Sequence, residues 1–156
     1  MEHWLHSLVQ IKVFAWSVLH QNLLLFQAIL PGLKKILFVM LGGSLGAASR
    51  YGIGLLAART WGVQFPWGTL TANLLGCFLI GLIFALADRV RLLTPDMRLL
   101  LITGYLGALT TFSSYSLETV NAARSGLALQ PWVNLLVNNL GGFALTFLGL
   151  WVGGLK

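Results

Sequence analysis

The chain alternates between long apolar stretches and short polar or charged segments. Three stretches contain no Asp, Glu, Lys or Arg: Thr60–Ala87, Leu99–Leu117 and Ser125–Leu155. A fourth stretch, residues 36–58, is interrupted only by Arg50. A transmembrane helix needs about 20 predominantly apolar residues. The pattern therefore predicts an all-α integral membrane protein with four spans, at Ile36–Ala58, Trp67–Ala87, Leu99–Val120 and Val133–Gly153.

The first 33 residues follow a different pattern. Residues 13–30 are largely apolar but are interrupted by polar side chains. Polar residues fall roughly on one helical face, namely His3, His6, Gln10, Ser17, Gln21 and Gln27. This pattern favours an amphipathic helix lying on the membrane, with a fifth span as the alternative. The predicted organisation is an N-terminal extension over residues 1–33 and a four-helix domain over residues 34–156.

Composition supports the membrane class. Hydrophobic residues make up 57% of the chain and charged residues only 9%, against about 25% charged residues in soluble domains. A chain this short cannot bury such an excess, so a soluble domain is excluded. The net charge of +6 comes from cations at the edges of apolar runs. Such cations typically set topology and contact lipid head groups, so we expect a lipid bilayer and no nucleic acid as the partner.

The loop charges predict an orientation. With four spans, seven cations lie on the same side of the membrane as the N-terminus: Lys12, Lys34, Lys35, Arg89, Arg91, Arg98 and Lys156. Arg59 and Arg124 fall on the opposite side. Because Lys and Arg are enriched in cytoplasmic loops, this bias places the N-terminus in the cytoplasm.

The spans lack the side chains that catalysis needs. All three histidines lie in the first 20 residues, and no pair of carboxylates lies within a span. Glu118, at the end of its span, is the sole candidate for proton coupling. The single cysteine, Cys77, cannot form an intrachain disulfide. We therefore expect a protein that is not an enzyme.

Glycines and one arginine share a face of the first predicted helix. Gly42, Gly46, Arg50 and Gly54 recur every four residues. Gly42 and Gly46 form a small-x-x-x-small contact, which favours close helix packing. Arg50 at membrane depth requires water, a partner or an anion, unless its side chain reaches the interface.

Neutral polar stripes mark two further helices. In the second, Thr69, Asn73 and Gly76 share a face; in the fourth, the stripe comprises Asn134, Asn138, Gly142 and Thr146. Interhelical hydrogen bonding would explain both stripes, and so would a water-lined pathway.

The third predicted helix is irregular in composition. Gly104 and Gly107 precede five serine and threonine residues between positions 110 and 116. A break here would free carbonyl oxygens that can hold a small cation, and irregular backbone is tolerated where it lines a cavity. Phe112 and Tyr115 present two rings on one face, and ring edges can contact an anion, although core packing also explains them. Neutral donors without a buried carboxylate suit an anion better than a cation.

Three motifs together resemble the Fluc/CrcB family of fluoride channels. They are Gly42–Tyr51 (GGSLGAASRY), Gly68–Gly76 (GTLTANLLG) and Gly104–Ser116 (GYLGALTTFSSYS). The resemblance covers about residues 35–155 in order and spacing. Its most specific part is Thr-Thr-Phe-Ser following Gly-x-x-Gly. Residues 1–33 have no counterpart in the family pattern.

The resemblance implies a fluoride-selective channel that exports fluoride passively across the cell membrane. It implies an antiparallel homodimer with two pores and a structural sodium ion held by the backbone carbonyls of Gly107 and Thr110. It implies that fluoride passes Asn73, Phe112, Ser113, Ser114, Thr69 and Asn138, and that Arg50 lies near an aqueous vestibule. Gly76 joins Gly42 and Gly46 as a helix-packing residue.

This chain departs from the family in two ways that bear on function. Tyr115 stands where the family has a second phenylalanine, which adds a hydroxyl beside the predicted pore. The Lys/Arg bias is also strong for a protein that inserts in both orientations, so an oppositely oriented homologous subunit is the alternative to the homodimer. The alternative function is an accessory subunit of a membrane complex without its own conductance.

Overall fold

The chain folds into helices joined by short connections. The computed structural model describes residues 2–90 and 93–154, apart from the side chains of residues 2–11, 13–15, 28 and 88–90. Helix α1 covers Glu2–Trp61 and α2 covers Trp67–Val90. Helix α3 starts as Pro95–Arg98, continues as the π-helix Leu99–Leu106 and ends with the turn Gly107–Leu109. Helix α4 covers Phe112–Arg124. Helix α5 comprises Gln130–Leu136, the π-helix Val137–Gly141 and Gly142–Gly154.

The chain divides into two compact units, one ending at Leu37 and the other beginning at Phe38. The first unit is helical, and its described apolar side chains are largely exposed, as at Trp16 (72%). Three side chains of the predicted polar face, His3, His6 and Gln10, lie outside the described residues. The interfacial role of residues 1–33 therefore stays a prediction. The orientation also stays a prediction, since Arg91, Lys156 and the Arg89 side chain are outside the described part.

Three helical stretches among the described residues are long and apolar enough to cross a membrane. They are Trp16–Trp61, Trp67–Ala87 and Gln130–Gly154, judged by length and composition. The third predicted span is absent from this set because it is not one continuous helix. Its two parts, α3 and α4, are separated at residues 110 and 111. Within the described residues the fold is thus all-helical, with several helices suited to a multi-pass membrane protein.

Glycine brings α1 and α3 into backbone contact within the second unit. A Cβ on Gly42 would collide with the carbonyl oxygen of Leu100, and one on Gly46 would collide with that of Tyr105. Small residues at such positions let two helices approach closely in a membrane. This contact holds α3, the first part of the broken third span, against the continuous helix α1.

Helix α2 packs most extensively against the C-terminal segment of α5. A Cβ on Gly81 would collide with the carbonyl oxygen of Thr146, and one on Gly149 would collide with that of Phe78. On the side of α2 that meets α3, Ala72 and Leu109 are fully buried and form a small core with Leu106. Helix α2 is therefore the central element that holds both neighbours.

Candidate functional site

The break between α3 and α4 is held by one side chain of α2. Thr110 (φ −83°, ψ 153°) and Thr111 (φ −151°, ψ 117°) adopt extended backbone conformations. The amide N–H of Thr111 donates to Asn73 Oδ1 at 2.8 Å, and Asn73 Nδ2 donates to the Thr111 carbonyl at 3.3 Å. Asn73 thus bonds both backbone groups of Thr111, in place of the bonds that a continuous helix would provide.

The carbonyl oxygens of Gly107 and Thr110 are among those that lose their helical donors at this break. In a continuous helix the N–H of Thr111 would bond Gly107, and the N–H of Ser114 would bond Thr110. Here the Thr111 N–H bonds Asn73 instead, and the Ser114 N–H donates to Thr111 Oγ1 at 3.2 Å. Carbonyl oxygens freed in this way are the ligand type that small hard cations prefer. The donor set therefore fits the sodium ion that the sequence motifs imply.

A chain of amide hydrogen bonds leads away from the break. Asn73 Nδ2 donates to Asn138 Oδ1 at 2.9 Å, and Asn138 Nδ2 donates to Asn134 Oδ1 at 2.9 Å. The buried Asn134 then donates through Nδ2 to Thr119 Oγ1 at 2.8 Å. The backbone N–H of Thr111 can only donate, so it fixes which atom of Asn73 is the oxygen. Each following amide is oriented in turn, and the two asparagine stripes form one connected network.

The break opens into a cavity of about 370 Å³. Its walls come from α2, α3, α4 and the π-helical part of α5. The lining residues are Asn73, Gly76, Cys77, Ile80, Ile102, Leu106, Gly107, Thr110, Thr111, Phe112, Tyr115, Asn138 and Asn139. None of these described lining residues is charged, so the cavity offers neutral polar groups between apolar walls.

Two aromatic rings border the cavity. The centroids of Phe112 and Tyr115 lie 5.5 Å apart with an edge-to-face angle of 66°. Phe112 is 77% exposed, whereas Tyr115 is 7% exposed. The Tyr115 hydroxyl accepts a hydrogen bond from Asn139 Nδ2 at 2.8 Å. The two rings therefore differ in exposure and in polarity, since Phe112 is exposed and the buried Tyr115 has a hydrogen-bonded hydroxyl.

The serines predicted beside the pore surround the Thr111 hydroxyl. The Oγ atoms of Thr111 and Ser113 lie 3.1 Å apart, and Thr111 Oγ1 donates to Ser114 Oγ at 3.2 Å. Neither serine is among the cavity-lining residues. Their hydroxyls stabilise the first turn of α4, where Thr111 is the N-cap.

Thr69 lies one helical turn from Asn73 and donates to Glu118 Oε1 at 2.6 Å. The other carboxylate oxygen of Glu118, Oε2, is buried and has no hydrogen-bond partner among the described residues. Thr69 therefore contacts α4 rather than the cavity itself.

Arg50 and the glycines of α1 lie apart from the cavity. Arg50 is half-buried, and it makes no hydrogen bond or ion pair within residues 2–90 and 93–154. Gly42 and Gly46 lie against α3, whereas a Cβ on Gly76 would collide with Thr110 Cγ2 at the break. Of the predicted packing residues, only Gly76 also lines the cavity.

Thr111 and Asn139 are site residues for which the sequence suggested no role. Thr111 lies inside the motif Gly104–Ser116, and threonine is among the residue types favoured at a helix N-cap. Asn139 is off the predicted stripe, because regular helical spacing selects only Asn134 and Asn138. The π-helical turn at Val137–Gly141 brings the adjacent Asn138 and Asn139 to the same cavity.

Comparison with known proteins agrees with the family resemblance of the sequence motifs. The family described as "CrcB-like protein, Camphor Resistance (CrcB)" matches residues 37–150. The match begins one residue before the second compact unit, so the part of α1 before residue 37 lies outside it.

Three relatives are named fluoride-specific ion channel FluC. The protein from Salinibacter ruber is 46% identical over 117 residues, covering 74% of this chain and 86% of the relative. The protein from Leptospira interrogans is 39% identical over 119 residues, covering 76% of this chain and 94% of the relative. The protein from Legionella pneumophila is 42% identical over 116 residues, covering 74% of this chain and 87% of the relative.

Proposed function

The chain belongs to the CrcB-like family, and from this premise we propose that it is a fluoride-specific ion channel. The observation that carries the proposal is the uncharged cavity that Asn73 organises at the break between α3 and α4. The names of the curated relatives support the choice of ion. Conduction is passive, and it lowers fluoride in the cytoplasm by export across the cell membrane.

The chemistry of the cavity suits a small anion. Fluoride holds its water strongly, so several hydrogen-bond donors must replace that water together. Hydroxyl groups, amides and ring edges can do so without binding the ion as tightly as a lysine or arginine would. Asn73, Phe112, Tyr115 and Asn138 line the cavity and are the residues proposed to meet the ion. Ser113, Ser114 and Thr69 are proposed to act around them, and Arg50, which lies apart from the cavity, is proposed to lie near an aqueous vestibule.

The proposed architecture is four spans per subunit, the third of them broken. Two copies associate in antiparallel orientation, so that the open side of the cavity and the exposed ring of Phe112 meet the second copy. An exposure of 77% for a phenylalanine beside a polar cavity supports this arrangement. An oppositely oriented homologous subunit is the alternative partner.

A structural sodium ion would be held by the backbone carbonyls of Gly107 and Thr110. The ion would supply positive charge at the break, where carbonyl dipoles of α3 converge. Asn73 keeps both carbonyls free of their helical donors by holding Thr111 extended. This role of Asn73 is independent of any contact with fluoride.

Flux through the purified chain tests the proposed function. Liposomes containing the protein are loaded with potassium fluoride, and efflux is recorded with a fluoride electrode after valinomycin is added. We expect fast fluoride efflux and no chloride efflux from matched liposomes loaded with potassium chloride. Equal rates for the two anions, or no fluoride efflux, would contradict the proposal. Because only one polypeptide is present, the result also separates a homodimer from a channel that needs a second subunit.

A further inference from the structure

The amide donors of the cavity are already committed to protein acceptors. Asn73 donates its two amide hydrogens to Asn138 Oδ1 and to the Thr111 carbonyl. Asn138 Nδ2 donates to the side-chain and backbone oxygens of Asn134, at 2.9 and 3.1 Å. An arriving anion could use these hydrogens only by displacing a bond that holds the network or the break.

The threonine hydroxyls of the lining are committed as well. Thr110 Oγ1 donates to the Leu106 carbonyl at 3.0 Å, and Thr111 Oγ1 donates to Ser114 Oγ. The thiol of Cys77 is only a weak donor. Among the side chains of the described lining residues, the strong donor that remains is therefore the hydroxyl of Tyr115.

Asn139 determines where that hydroxyl hydrogen goes. Asn139 Nδ2 donates to the Leu135 carbonyl at 2.7 Å and to the Tyr115 hydroxyl at 2.8 Å. A carbonyl can only accept, so the Leu135 contact fixes the nitrogen of Asn139 at this position. The Tyr115 oxygen is consequently an acceptor toward Asn139. Its own hydrogen has no acceptor among the described residues and is left for a ligand.

We infer that Tyr115 is a hydrogen-bond donor to the permeating anion and that Asn139 is the positioning residue for its hydroxyl. The inference rests on the proposed function and extends it to a residue pair on adjoining walls of the cavity. Asn139 acts through Tyr115 and does not itself contact the ion. A hydroxyl held in this way offers its hydrogen without first breaking a bond of the network.

A double-mutant cycle tests the inference in fluoride-efflux liposomes. The variants are Tyr115→Phe, Asn139→Leu and the double substitution, each checked for a single symmetric peak in size-exclusion chromatography. Loss of one hydrogen bond to a charged group is expected to slow fluoride efflux about tenfold in Tyr115→Phe. Asn139→Leu is expected to slow it by a similar factor. The double variant should be no slower than Tyr115→Phe alone, because Asn139 acts only through the hydroxyl.

Asn121→Leu is the matched control, since Asn121 is an exposed asparagine of α4 outside the cavity lining. It should leave efflux unchanged. If Asn139→Leu slows efflux equally with and without Tyr115→Phe, Asn139 does not work through Tyr115 and the inference is overturned. Wild-type efflux in Tyr115→Phe overturns it too. These outcomes leave the proposed function intact, whereas absence of fluoride efflux in the unaltered chain overturns both.

Asn139→Gln gives a second measurement if the leucine variant does not fold. The longer side chain keeps an amide donor within reach of the hydroxyl. Fluoride efflux through Asn139→Gln is therefore expected to be faster than through Tyr115→Phe. Efflux as slow as in Tyr115→Phe would contradict a positioning role based on the amide.

Discussion

The two faces of α2 are built in different ways. Toward the C-terminal part of α5, backbone lies directly on backbone, and a Cβ at Gly81 or Gly149 would collide with a carbonyl oxygen of the partner helix. Toward the break between α3 and α4, Asn73 makes side-chain hydrogen bonds and borders an open cavity. One face is close-packed through glycine, and the other is held apart by amides.

The difference shows how a small membrane protein can keep a polar site open. Close contact through small residues gives van der Waals packing, which drives helix association where lipid removes the hydrophobic effect between helices. With α2 fixed on one side, the other side can tolerate a broken helix, in which Asn73 and the Thr111 hydroxyl satisfy the N–H groups of Thr111 and Ser114. We therefore expect substitutions on the glycine face to affect folding and substitutions on the amide face to affect flux.

The largest effect is expected for Gly149→Ala on the glycine face. The added methyl group would meet the carbonyl oxygen of Phe78 and, at 2.8 Å, the backbone nitrogen of Leu82. Backbone atoms cannot rotate away, so α2 and α5 must separate, at a cost of about 3 kcal/mol. The free energy of unfolding in detergent measures this loss. A stability equal to that of the unaltered chain would show that the two helices are not held by backbone contact.

On the amide face, Asn73→Asp is expected to slow conduction strongly while leaving the protein folded. The carboxylate can still accept from the Thr111 N–H, but it cannot donate to Asn138 or to the Thr111 carbonyl. It also places a negative charge in the path of an anion. Fluoride efflux should fall about a hundredfold, equivalent to about 2.7 kcal/mol in the barrier.

Asn121→Asp is the control for Asn73→Asp, because it places the same charge at an exposed position of α4 outside the cavity. It should conduct like the unaltered chain. If the two variants lose efflux equally, the loss reflects added charge in general, and Asn73 is not a residue of the pathway.

Much of the helical framework could be predicted from charge-free apolar stretches. The predicted span Trp67–Ala87 matches α2 closely, and Val133–Gly153 falls within α5. The position of the break was also predictable, since two glycines and five serine and threonine residues make residues 104–116 a poor continuous helix. These features depend on local composition, which a single sequence displays directly.

The details of the site depend on geometry that regular periodicity does not contain. A spacing of four residues selects Asn134 and Asn138 but passes over Asn139, because it assumes an α-helical turn throughout. The π-helical segment brings Asn139 to the cavity beside Asn138. Whether Ser113 and Ser114 line the cavity or cap α4 depends on the Thr111 hydroxyl between them. Such choices among equivalent polar partners are made only in three dimensions.

The smallest effect, with the opposite sign, is expected for Gly52→Ala in α1. The substitution is the same as at Gly149, but a Cβ at Gly52 meets no described heavy atom within 4 Å. Alanine restricts the unfolded backbone more than glycine, so the free energy of unfolding should rise by about 0.5 kcal/mol. The free energies of unfolding of Gly52→Ala and Gly149→Ala, measured in the same detergent, separate the effect of backbone propensity from the effect of helix packing. A loss of stability at both positions would mean that glycine is required throughout these helices, and the contrast between the two faces of α2 would no longer rest on backbone contact.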